Sequence, residues 1–181
     1  ALARLVWEFG GESDPFFPYQ EQADDELFVT AKINAEGPRY VEISAYLNNQ
    51  SAWPAFGSED LSFRYFVDLT EEFALGYSLD DILVSVNYNQ GSWVSDLQLW
   101  DAAEDLYFIE SHFDGIMICP AGQSDYRKEV QFRLSLPFAG NSPDWDSSGD
   151  PSFQCLTTGS HVETVFIPAY DAGSLTSGLE P

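Results

Sequence analysis

The sequence is poor in basic residues, and this shortage excludes several classes of partner. Seven Lys and Arg stand against 30 Asp and Glu in 181 residues, which gives a formal net charge of −23. Such a charge repels phosphates and anionic lipid headgroups, so we expect neither a nucleic acid nor a membrane partner. A neutral polymer such as a polysaccharide is not penalised, and a divalent cation is attracted. The alternative, that the acidity only keeps a secreted protein soluble, stays equally open.

Cysteine is also scarce. Cys119 and Cys155 are the only two, so the chain is not a disulfide-rich scaffold. A disulfide between them would close a mid-length loop and add roughly 3 to 4 kcal/mol, although sequence does not establish the pairing. The chain has no apolar run of about 18 residues and no signal-peptide start. We therefore expect no membrane-spanning helix, and we expect the chain to be part of a longer protein.

Aromatic residues, by contrast, are abundant. Hydrophobic residues make up 44% of the chain, including 14 Phe, 9 Tyr and 5 Trp. This is enough apolar surface to offset the entropy of folding, so the charge does not imply disorder. The length suits one domain with a tail.

The first 25 residues differ from the rest. Residues 1–9 are typical of a short helix that ends at Gly10 and Gly11, and residues 12–25 have the composition of a linker. From residue 26 onwards, apolar residues alternate with polar ones, which is the pattern of strands. The sequence thus predicts a short N-terminal helix and linker over 1–25 and one domain over 26–181.

Within this domain, many short strands are separated by turn-rich stretches. One helical turn is predicted at 70–76, capped by Thr70 and stopped by Gly76. Many strands without a long helical period predict an all-β fold, a jelly-roll β-sandwich of about nine strands. The expected strands begin with Leu27, Val29, Ala31 and Ile33 on one face and Val41, Ile43, Ala45 and Leu47 on one face of the next, followed by 61–68, 82–88, 93–99, 105–113, 127–136 and 162–167.

The segment from Arg127 to Arg133 concentrates three of the seven basic residues in seven positions. Side chains alternate along a strand, so Val130 and Phe132 should face the core. An outward polar row then remains, formed by Arg127, Glu129, Gln131 and Arg133. Forked Arg donors, Glu acceptors and a Gln that does both suit sugar hydroxyls. The plainer alternative is an exposed strand face with cross-strand ion pairs.

A second cluster runs from Asp144 to Asp150 and places oxygen ligands around Gly149. Hard cations such as calcium prefer oxygen ligands on a flexible loop. The start is similar to an EF-hand loop, but the twelfth position is Cys155 instead of Glu and no flanking helices are evident. A solvated acidic turn is the equally open alternative.

Residues for catalysis do not stand out. Thirty acidic residues make any chosen carboxylate pair uninformative, and no nucleophile motif is present. His112 and His161 have no metal-binding spacing, so we interpret both as surface histidines.

Several segments, taken together, make the chain resemble family 3 carbohydrate-binding modules, most of all subgroup c. The resemblance covers about 26–181. It is carried by Asn48–Ala55, Leu61–Asp68, Val86–Gly91, Gly122–Ser124, Tyr126–Arg133 and the closing stretch Ile167 to Pro181. Residues 1–18 are similar to the last catalytic-domain helix and linker of family 9 glycoside hydrolases. The implied parent is a secreted modular endoglucanase, with membership of a cellulosome left open.

The resemblance also implies site residues. It implies a non-catalytic nine-stranded jelly roll with one structural calcium and a groove that guides a single glucan chain to the enzyme domain. Two departures, Gly149 for the usual Asn and Pro151 for an aromatic, put the calcium coordination in question. The implied calcium ligands are Asp68, Thr70, Asp146, Ser148 and Asp150, and the implied groove residues are Tyr88, Gln90, Arg127, Glu129, Gln131 and Arg133.

The leading hypothesis is therefore a cellulose-handling or β-glucan-handling module that supports processivity of an attached family 9 endoglucanase. The alternative is a module that packs on the catalytic domain and stabilises it without binding sugar. An independent jelly-roll glycosidase is a third hypothesis, which we consider the weakest.

Overall fold

The fold is a sandwich of two antiparallel sheets. A computed structural model describes residues 27–51, 60–137 and 145–181. The predicted helix and linker over 1–25 lie outside these residues, so that part of the domain division stays a prediction. No helix in the described ranges is long and apolar enough to cross a membrane.

Eleven strands, one short α-helix and two 3₁₀ turns make up the described structure. The strands are β1 (Leu27–Gly37), β2 (Tyr40–Asn49), β3 (Leu61–Asp68), β4 (Leu83–Asn89), β5 (Trp93–Val94), β6 (Gln98–Asp101), β7 (Leu106–His112), β8 (Arg127–Ser135), β9 (Val162–Thr164), β10 (Ala169–Asp171) and β11 (Ser174–Ser177). The helix α1 is Thr70–Ala74, and the 3₁₀ turns are Leu79–Asp81 and Pro151–Phe153.

The order of strands places β8 inside a sheet. The first sheet has the order β4-β8-β2-β1-β9, and the second has the order β11-β10-β3-β7-β5, with β6 paired to β7. Strand β8 therefore has antiparallel neighbours on both sides, with Glu42 opposite Arg133 in β2 and Tyr88 opposite Gln131 in β4. Both neighbours fix the position of its outward side chains.

The core lies between the sheets and follows the alternation predicted from the sequence. Val130, Phe132 and Leu134 of β8 are fully buried, as are Ile43 and Leu47 of β2. Full burial of each such side chain stabilises the fold by roughly 1.5 to 3 kcal/mol. The predicted inward sets of β1 and β2 and the β-sandwich class are confirmed.

Three details differ from the sequence-based expectation. The strand expected at 93–99 is two strands, since pairing with β7 is interrupted around Ser95, whose hydroxyl accepts a hydrogen bond from the Glu110 amide. The strand expected at 162–167 ends at Thr164. The hairpin of β10 and β11 turns through Ala172 and Gly173, both at positive φ. These divisions raise the strand number above nine.

The predicted helical turn is present, but Thr70 does not cap it. Helix α1 begins at Thr70, and no side chain caps it from Leu69. The Thr70 amide instead donates to Asp68 Oδ1 at 2.9 Å. Gly76 follows the helix at φ +93°, a conformation that favours glycine, and its amide donates to Phe73 O at 3.0 Å.

The two cysteines do not pair. Cys119 is half-buried and Cys155 is exposed, and both are free thiols. The hypothetical 119–155 disulfide is therefore not formed in this structure.

Candidate functional site

The outward residues of β8 form a row on the outer face of the first sheet. Arg127 is exposed, while Glu129, Gln131 and Arg133 are half-buried, and Val130 and Phe132, which alternate with them, are buried in the core. With a rise of about 3.3 Å per residue, the row from Arg127 to Arg133 is roughly 20 Å long. The placement predicted for these four side chains is confirmed.

Strand β2 holds the Glu129 carboxylate in one orientation. Ser44 Oγ donates to Glu129 Oε1 at 2.7 Å, and Tyr46 Oη donates to Oε2 at 2.8 Å. Gln131 Nε2 donates to Oε1 at 2.8 Å. Ser44 Oγ also lies 2.8 Å from His161 Nε2, and its single proton is used on Glu129, so His161 donates to it. Glu129 thus sits in a network that spans three chain segments.

These contacts leave Glu129 with limited capacity for a ligand. A carboxylate has about four acceptor positions, and three are occupied, which leaves one on Oε2. Burial alone would raise the pKa of Glu129, but donors from Ser44, Gln131 and Tyr46 and the nearby His161 outweigh it and lower that pKa. The carboxylate is therefore an ionised, oriented acceptor at neutral pH.

Arg133 is oriented by a second carboxylate, Glu42, which is 6% exposed. Arg133 Nε and Nη2 donate to Glu42 Oε2 at 3.1 and 2.7 Å. Asn87 Nδ2 donates to the same oxygen at 2.6 Å, and Asn34 Nδ2 donates to Oε1. Burial would raise the pKa of Glu42, but Asn34, Arg133 and Asn87 together lower it. Glu42 therefore has little capacity left for a ligand, and its carboxylate holds the Arg133 guanidinium in one orientation.

Aromatic rings flank the row. The Arg127 guanidinium lies 4.7 Å from the ring centroid of Tyr46, and that of Arg133 lies 4.3 Å from that of Tyr40. Tyr88 is 44% exposed on the same face, opposite Gln131. Rings of this kind can pack against the apolar faces of pyranose units. The face therefore combines hydrogen-bonding groups with aromatic surface.

Gln90 serves the strand backbone more than the open face. Its Oε1 accepts from the Glu129 amide at 2.8 Å, and its own amide donates to Glu129 O at 2.8 Å. The structure thus brings Gln90 to the row, as expected, with its side-chain oxygen already occupied. Its Nε2 is the group left for a ligand.

Sequence reasoning missed the polar partners in β2. Glu42, Ser44 and Tyr46 alternate with the core residues of that strand, so the signal was present. The expectation for β2 considered only its inward face. Reading both faces of adjacent strands would have found the partners of Glu129 and Arg133.

The predicted calcium ligands lie around the segment between Asp146 and Asp150. Asp150 is fully buried, and its Oδ1 accepts from the Asp68 amide at 3.0 Å. Ser148 and Asp146 are exposed, and the Ser148 amide donates to Asp146 Oδ1 at 2.8 Å. Gly149 has only Asp68 Oδ2 within 4 Å of the position of a Cβ. The structure therefore groups Asp68, Asp146, Ser148 and Asp150 at one end of the sandwich.

Two buried carboxylate oxygens in this region have no hydrogen-bond partner among the described residues. They are Asp150 Oδ2 and Glu72 Oε2. Burial, followed by the charges of Glu72, Asp68 and Asp146, raises the pKa of Asp150 well above its ordinary value. A buried carboxylate oxygen without a donor is costly unless a proton or a cation compensates it. A hard cation would compensate these two oxygens, and Glu72, which the sequence analysis did not name, carries one of them.

Carboxylates alone would not complete the coordination of a cation at this position. In the described ranges, no three Asp, Glu, His or Cys side chains are arranged so that they could hold a metal ion by themselves. Hydroxyl or carbonyl oxygens must complete the shell, as calcium accepts. Thr70 and Ser148, both predicted as ligands, offer such oxygens.

The two histidines separate. His161 is linked to the row by its hydrogen bond with Ser44. Its ring also packs against the Tyr46 ring in an edge-to-face arrangement, with 4.7 Å between the ring centroids. His112 lies in the second sheet, where Trp93 stacks on it with 3.7 Å between ring centroids. The expectation of a plain surface histidine is therefore incomplete for both.

A β-sandwich with an oriented polar row and flanking rings has the form of a sugar-binding module. The model of the family described as "Cellulose binding domain" matches residues 28–178. The chain belongs to this family, the family 3 carbohydrate-binding modules, which are non-catalytic.

Curated relatives carry this module in larger proteins. The chain is 43% identical to Endoglucanase A of Bacillus pumilus over 99% of its length, and 37% identical to Endoglucanase B of Cellulomonas fimi over 100%. It spans 27% and 16% of those relatives, respectively.

Solved structures agree with this assignment. Endoglucanase CelQ from Clostridium thermocellum, in a complex with cellobiose and cellotriose, matches with a TM-score of 0.77 and 41% identity, over 99% of this chain and 30% of that one. A family 3b module from a scaffoldin of Bacteroides cellulosolvens matches with a TM-score of 0.63 and 17% identity, over 87% of this chain and 97% of that one. The second likeness supports the fold alone.

Proposed function

We propose that this module holds a single β-glucan chain, cellulose or a related polymer, along the polar row of β8 and guides it to an attached catalytic domain. The observation that carries the proposal is the orientation of Glu129 and Arg133 by Ser44, Tyr46 and Glu42. Preorganised donors and acceptors lose little freedom when a ligand binds. An ordinary surface ion pair does not need hydrogen-bond partners that hold each charged group in one orientation.

Each member of the row has a defined part. The guanidinium N–H groups of Arg127 and Arg133 that remain free of protein acceptors donate to sugar hydroxyls. Glu129 Oε2 accepts one hydroxyl, and the amide of Gln131 contributes its remaining donor and acceptor. The rings of Tyr88 and Tyr46 border the chain. Contacts of this kind are individually weak, which allows a chain to slide.

We further propose that the module is of subgroup c and that the attached domain is a family 9 endoglucanase. Support comes from the resemblance of residues 1–18 to the end of such a domain and from the relatives that are named endoglucanases. CelQ, which matches over 99% of this chain, was solved with cellobiose and cellotriose. Cellulose is an insoluble polymer that does not enter cells, so the protein that handles it is extracellular.

We also propose one calcium ion, held by Asp68, Thr70, Asp146, Ser148 and Asp150, with Glu72 close to it. The buried Oδ2 of Asp150 supports this assignment. When bound, the ion neutralises the carboxylates that the fold brings together at this end of the sandwich. Its role is structural, because these residues are distinct from those of the polar row.

The test uses the full enzyme with Arg127→Ala combined with Glu129→Ala. We expect a lower ratio of soluble to insoluble reducing ends on insoluble cellulose and an unchanged rate on soluble substrate. Glu163→Ala, which removes an exposed carboxylate from β9 at the opposite edge of the same sheet, is the matched control. An unchanged ratio in the double variant contradicts the guiding function.

A second candidate function is packing on the catalytic domain. Strand β4 is an edge strand, and Leu83 and Val86 on it are 55% and 44% exposed. Exposed apolar groups on a sheet edge favour a covering partner. If packing is the main role, Leu83→Ser lowers the melting temperature of the catalytic domain in the full enzyme while the double variant of the row does not.

A further inference from the structure

Tyr40 belongs to two features of the molecule. Its ring lies under the Arg133 guanidinium, at the end of the polar row, and it also lines a cavity of about 280 Å³. Tyr40 is opposite Ser135, two residues beyond Arg133 along β8. The cavity is lined by Glu36, Gly37, Tyr40, Val41, Trp145, Asp146, Ser147, Ser148 and Phe153.

The turn between β1 and β2 builds one side of this cavity. A Cβ at Gly37 would lie 2.7 Å from Tyr40 Cε1, so the missing side chain lets the ring lie over the turn. Trp145 closes the other side, since its amide donates to Pro38 O at 2.8 Å. Its indole N–H donates to Ser147 Oγ at 2.7 Å and is therefore satisfied within the protein. Both walls are tied to each other by the backbone.

The lining suits a neutral, hydroxylated ring. Tyr40, Trp145 and Phe153 supply aromatic surface, and the Glu36 carboxylate supplies hydrogen-bond acceptors. Asp146 and Ser148 also line the cavity and are assigned to the proposed calcium ion. None of the described lining residues is basic, and the carboxylates disfavour an anion. The volume lies just below the range of about 300 to 1,000 Å³ typical of drug-sized ligands, so it matches one small ring.

We propose that this cavity is a terminal subsite that takes one glucosyl unit of the glucan chain held on the polar row. The inference rests on the proposed function of the row. The cavity gives the bound glucan a defined end, because a glucan chain that lies along β8 reaches Tyr40 after Arg133. The row alone has open sides, whereas the cavity fixes the register of the chain.

The test is a titration of this chain with cellotetraose and cellohexaose, followed by residue-resolved NMR. We expect cellohexaose to shift the Gln131 side-chain amide and the Trp145 indole N–H together, with the same dissociation constant. Glu36→Gln, at an exposed position, should weaken cellohexaose binding at least threefold and reduce its advantage over cellotetraose. Glu163→Gln is the matched control and should leave both affinities unchanged. Thermal melts confirm that both variants are folded.

The outcomes separate the two proposals. A Gln131 shift without a Trp145 shift, or equal affinities for Glu36→Gln and Glu163→Gln, overturns the subsite and leaves the row intact. A Trp145 shift without a Gln131 shift contradicts glucan binding by the row, and it therefore also contradicts the proposal that the cavity continues the row. The absence of both shifts at saturating cellohexaose overturns both proposals.

Discussion

Arg133 and Glu42 form a two-pronged ion pair on the outer face of the first sheet, in which Nε and Nη2 both donate to Glu42 Oε2. The pair joins directly opposed residues of β8 and β2. Because Glu42 is buried and accepts four hydrogen bonds, its carboxylate fixes the orientation of Arg133. The row therefore depends on a residue that a ligand does not need to touch.

Glu42→Gln tests this dependence. The substitution removes the charge that Arg133, Asn34 and Asn87 converge on, and we expect the free energy of unfolding to fall by about 2 kcal/mol. Cellohexaose binding should weaken as well, since Arg133 loses its fixed orientation. Urea unfolding and calorimetric titration measure the two effects. A variant with wild-type stability and unaltered cellohexaose binding would show that Glu42 does not hold Arg133 in place for the ligand.

The pH dependence of stability provides a second prediction. The fold lowers the pKa of Glu129 from its ordinary value of 4.5. A lowered pKa means that the stabilisation is complete above the unfolded value and is lost as the pH falls through the folded value. We expect the difference in unfolding free energy between wild type and Glu129→Gln to be constant above about pH 5.5 and to shrink below about pH 4.

The control for this measurement is Glu163→Gln, because Glu163 is exposed and is not surrounded by donors as Glu129 is. Its difference from wild type should be small across the same range. A difference for Glu129→Gln that stays constant down to pH 3 contradicts the assigned network.

Chelation tests the calcium proposal. A ligand at about 100 times its dissociation constant adds about 2.7 kcal/mol of stability, so EGTA should lower the melting temperature by several degrees. Asp150→Asn should abolish the response, whereas Asp96→Asn, at an exposed position, should preserve it. Equal melting temperatures with calcium and with EGTA rule out the structural ion.

Gly91 connects the turn after β4 to the second sheet. A Cβ there would lie 2.5 Å from His112 O, and this atom belongs to the backbone. We expect Gly91→Ala to cost about 2 to 3 kcal/mol and to weaken glucan binding, because the turn holds Gln90. Gly159→Ala, with no atom within 4 Å of its Cβ, should leave stability and binding nearly unchanged. Similar melting curves for the two variants would refute the close approach.

The fold was predictable where one face of a strand is buried. Alternation placed Val130 and Phe132 inward, and with them the four residues of the polar row outward. Strand ends were harder, since Ser95 interrupts the pairing with β7 through a hydrogen bond to a residue distant in sequence. The pairing of Cys119 and Cys155 was left open for a similar reason, because spacing along the chain does not give the distance between two thiols.

The site was predictable only in part. Its row was found from local composition, but the partners Glu42, Ser44 and Tyr46 depend on the register between β2 and β8. Glu72, which we propose lies close to the calcium ion, was missed because α1 carries two adjacent glutamates, and only the fold shows which of them is buried. Residues that hold other residues in place are the part of this site that requires a structure.

A crystal structure of this chain soaked with cellohexaose tests most directly whether the polar row of β8 holds a glucan chain. We expect sugar density along the outer face of β8, with hydroxyls within hydrogen-bond distance of Arg127, Glu129 Oε2 and Arg133. Density on another face, or an empty row at a saturating concentration, would contradict this expectation.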